Sequence, residues 1–326
     1  MSDTAALKAN RSQWTTKVTH YLELIRFSHT IFALPFALLA TAWAFVVPLP
    51  RDTASSVGDN EYLPFRWGAL LGILICMISA RSFAMAINRL FDQKWDGENP
   101  RTASRHLPAK LLTRSGVILF CVGCATVFVA ACTLFLPNQL PLILCVPVLC
   151  FLAGYSLGKR FTNLVHFWLG VALMLAPMCA WIALRGEFLM ANPSDLLPAM
   201  VLGLVVFLWV SGFDIIYSCQ DVDYDRSAGL FSIPAWLGVR QALRVSAVCH
   251  ALMWSLALAM TFLFPNLSLG WLFQSALAII GVCLIYEHSV VSDKSLARIQ
   301  LAFFQLNSVI SILFLIVGTL DAYWRN

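Results

Sequence analysis

Nine apolar runs, each close to the length of a membrane crossing, dominate this chain. They lie at about 27–47, 67–90, 113–135, 140–157, 163–184, 196–219, 242–264, 268–288 and 299–319. A spanning helix needs roughly 20 mainly apolar residues, since each backbone polar group in lipid must find its partner inside the segment. Of the 326 residues, 60% are hydrophobic and only 12% are charged, half the share of about 25% typical of soluble domains. The expected fold is all-α, an integral membrane protein built as a bundle of about nine transmembrane helices with cytoplasmic cap loops. Residues 1–20 read as a polar cytoplasmic segment, and 21–326 as one membrane-embedded domain. The run at 140–157 is short and carries Pro141 and Pro147, and Pro35 interrupts the first run. In such a chain a net charge of +5 reports orientation and lipid headgroups rather than nucleic acid.

Basic residues set the direction. With the N-terminus in the cytoplasm and nine crossings, seventeen of the 22 Lys and Arg residues fall on the cytoplasmic side. Only Arg51, Arg66, Arg185 and Arg325 fall opposite, and Arg81 lies within a span. The expected location is the inner, cytoplasmic membrane. The polar first 20 residues, with Lys8, Arg11 and Lys17, do not read as a secretory signal. Nearly all ten cysteines sit in apolar runs; Cys121 and Cys124 have CxxC spacing but no His or second CxxC nearby, so they read as packing residues.

Two acidic clusters interrupt this pattern at the ends of apolar runs, both on the cytoplasmic side. Asp92 and Asp96 form one i, i+4 pair; Asp221 and Asp225 form the other. Residues four apart share a helix face, so each pair can offer two carboxylates to one ion. Two facing pairs make an oxygen-rich pocket suited to Mg²⁺ whose coordination is completed by substrate phosphates. Carboxylates near a bilayer are costly and mark function. Arg81, Asn88 and Asp92 share a face to within roughly 60°, and Arg81 needs either an Asp partner or a substrate anion. Asn99, Arg101, Thr102 and Arg105 read either as a basic loop or as diphosphate contacts. Lys159 and Arg160, after Tyr155, read either as a topology signal or as cations for a diphosphate. Asp214, Tyr217, Asp221 and Asp225 recur at three- and four-residue spacing, whereas Asp223 points elsewhere. The segments 91–112 and 220–241 are the longest outside the spans, and loops of that length usually carry function.

Asn88-x-x-x-Asp92-x-x-x-Asp96 with Asn99-Pro100-Arg101-Thr102, then Tyr155-x-x-x-Lys159-Arg160, then Asp214-x-x-Tyr217-x-x-x-Asp221-x-x-x-Asp225, resembles the UbiA superfamily of intramembrane aromatic prenyltransferases. Arg81, seven before Asn88, also matches, and the resemblance covers roughly residues 20–320. Arg89 stands where many members have an Asp, so that position is not expected to be a ligand. The resemblance implies Mg²⁺-dependent transfer of a polyprenyl group from its diphosphate to an aromatic ring. It implies Asp92, Asp96, Asp221 and Asp225, with Asn88, as the metal-binding and catalytic set. Lys159, Arg160 and Arg101 or Arg105 would take the remaining phosphate oxygens. Tyr155, Tyr217 and Trp209 would line the site of the allylic cation. The opening Arg26-Phe27-Ser28-His29-Thr30 is similar to that of members prenylating 4-hydroxybenzoate, the preferred acceptor, or a dihydroxynaphthoate in menaquinone synthesis. Arg26 or Arg81 would clamp the acceptor carboxylate, and His29 is a candidate contact.

Three other classes fit less well. A CDP-alcohol phosphotransferase resembles one continuous Asp pattern within about 25 residues, whereas these pairs lie about 130 residues apart. A transporter would place its buried charges near the bilayer midplane. A soluble prenyl diphosphate synthase cannot have this hydropathy.

Overall fold

The computed structural model describes residues 18–26, 32–50, 62–291 and 302–324. Nine apolar helices organise them: α1 (Leu34–Val46), α2 (Trp67–Phe91), α3 (Arg114–Cys132), α4 (Leu140–Tyr155), α5 (Val165–Leu189), α6 (Leu197–Ser218), α7 (Val239–Leu263), α8 (Trp271–Val290) and α9 (Asn307–Trp324). Strands are absent among the described residues. Seven of the helices are long and apolar enough to cross a membrane; α1, with 13 residues, and α4, with 16, are shorter. Large apolar side chains point outward, among them Leu119, Phe262 and Ile285, each more than 70% exposed. An apolar exterior of this kind suits lipid rather than water.

Several details differ from the expectations. Pro35 does not interrupt the first helix. It lies in the first turn of α1, where its missing N–H would have had no partner. Pro147 and Pro177 do lie inside α4 and α5. The last apolar helix runs past 319, to Trp324, and residues 299–301 of the expected run lie outside the described residues. Arg185 is not outside the spans: α5 continues to Leu189, and Arg185 is fully buried in it. Its guanidinium forks onto Asp195, with Nε donating to Oδ2 at 2.8 Å and Nη2 to Oδ1 at 2.6 Å. The remaining donors reach the carbonyls of Ala44, Val47 and Pro48, 2.8–2.9 Å away at the end of α1. Five donors thus meet five acceptors, which is what makes a buried guanidinium tolerable.

The core centres on α6, which packs against α5 and α7. In the segment that contains α6, 61% of the most apolar stretch is buried, against 28–39% in the other six long helices. Gly170 permits the α5–α6 approach, since a Cβ there would sit 2.7 Å from the Phe207 carbonyl oxygen. Trp209 lies in this core with Phe32, Phe36 and Phe213, and its Nε1 donates to Asn307 at 2.6 Å. A second long-range tie caps α8: Asp321 on α9 accepts from the Gly270 and Phe273 N–H groups at 2.6 and 3.0 Å. It satisfies donors that the start of α8 would otherwise leave bare.

Candidate functional site

Both acidic motifs share one backbone device. The long helix breaks at the first carboxylate, Asp92 at φ −90°, ψ 4° and Asp221 at φ −106°, ψ 7°. Each then resumes as a six-residue helix, Gln93–Glu98 and Val222–Ser227. The bond from Asp96 N–H to the Asp92 carbonyl, at 2.8 Å, keeps the first pair in helical register across the break. These short helices fold over one end of the bundle and lock together there. Tyr224 Oη donates to the Trp95 carbonyl at 2.8 Å, and Asn99 Nδ2 to Asp221 Oδ1 at 3.2 Å.

Beneath them opens a cavity of about 390 Å³. All fourteen predicted site residues line it: Arg26, Arg81, Asn88, Asp92, Asp96, Arg101, Arg105, Tyr155, Lys159, Arg160, Asp214, Tyr217, Asp221 and Asp225. Trp209 does not, because it belongs to the core; His29 lies outside the described residues. Asp223 is exposed, as its phase on the helix suggests.

Each acidic-motif carboxylate has a cation at hand. Arg101 grips Asp221 with two nitrogens, its Nε at 2.7 Å from Oδ1, and donates to the Tyr217 hydroxyl at 3.1 Å. Arg105 donates to Asp96. Lys159 Nζ reaches both Asp225 oxygens at 3.0 and 3.2 Å. Arg160 lies 3.7 Å from Asp92, donates to the Phe91 carbonyl at 2.8 Å and stacks 4.3 Å over the Trp95 ring. Asn88 Nδ2 donates to Asp92 Oδ2 at 2.8 Å. Burial pushes the Asp92 carboxyl up to about 6, and the neighbouring Asp96 charge adds to the shift. Burial works against the Arg101 charge, but the Asp221 hydrogen bonds outweigh it and hold the guanidinium above its ordinary range.

The donor set tests well against a hard divalent cation. It is all oxygen: four carboxylates and one side-chain amide at one cavity end, the chemistry Mg²⁺ selects. Among the described residues Asp96 Oδ2 is buried without a hydrogen bond, and Arg89 Nη1 stands 3.6 Å from it. Arg89 thus faces the carboxylates as a charge.

Deeper in, the cavity changes character. Below Tyr155 and Asp214 the walls are apolar, with Leu152, Leu169, Leu173, Phe128 and Phe135 among them. Arg81 lines the upper part of this region. Among the described residues it makes no ion pair, and its Nε is buried without a partner. Sequence reasoning missed His166. It is 1% exposed, lines the cavity and sits with Nδ1 2.7 Å from Asp214 Oδ2. Its Nε2 faces the Ile233 N–H at 3.4 Å, which can only donate, so in the neutral ring Nδ1 carries the proton and donates to Asp214. A histidine in the first turn of an otherwise apolar helix was the available signal.

Comparison with known proteins places this geometry among relatives. The family model described as the UbiA prenyltransferase family matches residues 60–309. A 4-hydroxybenzoate octaprenyltransferase of Vibrio atlanticus is 28% identical over 283 residues, covering 86% of this chain and 89% of the relative. One from Salmonella paratyphi B is 26% identical over 312 residues, covering 95% and 97%. Among solved structures, a UbiA homolog from Aeropyrum pernix matches with a TM-score of 0.74 at 28% identity, over 87% of this chain and 94% of that one. A UbiA homolog from Archaeoglobus fulgidus, bound to DMAPP and Mg²⁺, shares the fold with a TM-score of 0.65 at 15% identity, over 93% and 99%.

Proposed function

The chain belongs to the UbiA prenyltransferase family, and from that premise we propose that it transfers a polyprenyl group from its diphosphate, with Mg²⁺, onto an aromatic carboxylic acid, 4-hydroxybenzoate first among the acceptors. One observation carries the reading: two carboxylate pairs and their cations gather at the mouth of a cavity whose depth is apolar. A diphosphate headgroup matches the first part and an isoprenoid tail the second. The names of the aligned relatives, and the diphosphate and Mg²⁺ bound by the Archaeoglobus fulgidus homolog, support it.

In this reading Asp92, Asp96, Asp221 and Asp225, with Asn88, would hold Mg²⁺, and the bound ion would supply Lewis-acid neutralisation of diphosphate charge. The chain's own cations do the rest of that work. Lys159, Arg160, Arg101 and Arg105 now rest on carboxylates, and each can turn to a phosphate oxygen once those carboxylates are engaged elsewhere. Tyr155 and Tyr217 offer ring faces where positive charge develops on the allylic carbon. The apolar walls exclude water that would otherwise capture it. Arg81, without an ion pair among the described residues and beneath the diphosphate end, is the partner for the acceptor carboxylate, with Arg26 as the second candidate. The basic-residue distribution supports a multi-pass protein of the inner membrane whose site opens to the cytoplasm.

The test uses the purified full-length chain in detergent with Mg²⁺ and a polyprenyl diphosphate. 4-Hydroxybenzoate and 1,4-dihydroxy-6-naphthoate are offered in parallel and products read by mass spectrometry. Prenylated hydroxybenzoate is expected, and Asp92→Ala should lower its formation at least 100-fold. Prenylated naphthoate alone would reassign the acceptor. An Asp92→Ala variant with normal turnover would remove the metal assignment.

A further inference from the structure

A second group of metal-ligating side chains lies apart from the fourteen predicted site residues, where the N-terminal helical segment at 18–24 meets the loop following the first acidic motif. His20 and Glu23 stand one turn apart on that segment, and His106 comes from the loop. His106 Nε2 is 3.1 Å from Glu23 Oε2, and His20 Nδ1 is 3.6 Å from the same oxygen. The two imidazoles meet edge to face with centroids 5.4 Å apart. The three donor atoms all lie within 4.8 Å of one another. Ligands around a tetrahedral ion with bonds of about 2.1 Å stand roughly 3.4 Å apart, so little movement brings these three onto one centre.

Two further observations favour a ligand. Among the described residues His20 Nδ1 is buried and makes no hydrogen bond, the Glu23 oxygen standing 3.6 Å from it. The frame is also packed. Leu24 and Leu107, each next to a proposed ligand, pack in one buried cluster with Leu90, Leu112 and Val117. Tyr21 stacks on Phe120 at 5.0 Å. Glu23 remains 59% exposed at its side chain, which leaves an entry path and room for water.

We propose that His20, Glu23 and His106 bind one zinc-class transition ion through two imidazole nitrogens and a carboxylate, the last position being filled by water. Mixed nitrogen and oxygen donors of this kind suit Zn²⁺ and its neighbours, whereas Mg²⁺ prefers oxygen. The site is therefore chemically distinct from the acidic one. Its structural effect is to tie the N-terminal segment to the loop that supplies Asn99, Arg101 and Arg105. Arg105, adjacent to His106 in sequence, already reaches Asp96.

The test takes the full-length protein in detergent, stripped with a chelator and then supplied with excess Mg²⁺. Co²⁺ is added as an absorbing probe and competed with Zn²⁺. One ion per chain is expected, with visible bands typical of nitrogen and oxygen ligation and displacement by Zn²⁺. His20→Ala and His106→Ala should each weaken binding at least tenfold, while Asp92→Asn leaves it unchanged. Retained Mg²⁺-dependent transfer by the histidine variants would show that they fold. Absence of binding would reduce the cluster to a hydrogen-bonded His106–Glu23 pair and overturn the proposal. Binding that survives both histidine variants, or that shows thiolate charge-transfer bands, would equally overturn it by assigning the ion to the acidic motifs or the free cysteines.

Discussion

Arg81 sits among apolar walls with no anion to face among the described residues, a costly arrangement for a charge within a span. A substrate carboxylate beside it would repay that cost, and the effect can be isolated by removing either partner. Wild type should use 4-hydroxybenzoate far better than phenol, which lacks the carboxylate. Arg81→Ala should lose most of that preference, by a factor of about 10 to 100 for a charged hydrogen-bonded pair, while phenol turnover stays nearly unchanged. Equal losses for both acceptors in steady-state kinetics would assign Arg81 to the diphosphate instead. Asp92 makes a second prediction at this scale. Burial raises its carboxyl to about 6, and Mg²⁺ needs it ionised. Below that pH protons and metal compete for it; above, the carboxylate is already available. The Mg²⁺ concentration for half-maximal transfer should therefore rise as pH falls through 6, by up to tenfold per unit, and stay flat above 7. Sequence alone located both residues because they are polar in apolar surroundings. It could not locate His166 as a partner of Asp214, since the pairing joins residues 48 apart on different helices.

At the scale of elements, the length of the apolar runs was enough to mark the seven helices among the described residues that are long and apolar enough to cross a membrane, because lipid leaves a backbone no alternative to internal hydrogen bonding. It misplaced Arg185, which looked like the flank of a span ending near 184. The charge gave no sign that α5 runs to Leu189, because its partners come from α1 and from the turn before α6. That clamp makes a prediction. Arg185→Leu strands the buried Asp195 carboxylate without its cation. Breaking one partner of such a pair costs about 3–5 kcal/mol, whereas replacing both with apolar residues is often neutral. Thermal unfolding in detergent should therefore show a large drop in Tm for Arg185→Leu and substantial recovery for Arg185→Leu with Asp195→Leu. The acidic motifs lie at the opposite end of the bundle, so the Mg²⁺ concentration for half-maximal transfer should be unaffected by either. A single variant as stable as wild type would mean that water reaches Asp195.

For the whole molecule the informative quantity is the reach of the cavity. On α2 its lining extends from Ile73 to Asp92, and at a rise of 1.5 Å per residue that is about 28 Å, close to the full apolar thickness of a bilayer. On α5 it extends from His166, beside the polar end, to Ala183. Composition could not reveal this, because residues lining a tail groove are as apolar as those packed in the core or facing lipid. Residues of α2, α4 and α5 line the groove below the carboxylates. Ala176 lies on its wall, ten residues and so about 15 Å along α5 from His166. Placing Phe at 176 should block the groove partway down while leaving the diphosphate end intact. Each methylene denied burial costs about 0.8 kcal/mol, so exclusion of even two should lower kcat/KM about tenfold or more. Ala176→Phe is therefore expected to use geranyl diphosphate nearly as well as wild type and octaprenyl diphosphate at least ten times less well. Competition between the two donors in one reaction, with both products read by mass spectrometry, measures the ratio directly. If the ratio did not change, the tail would leave the site sideways above Ala176, and the lower cavity would have no part in donor selection.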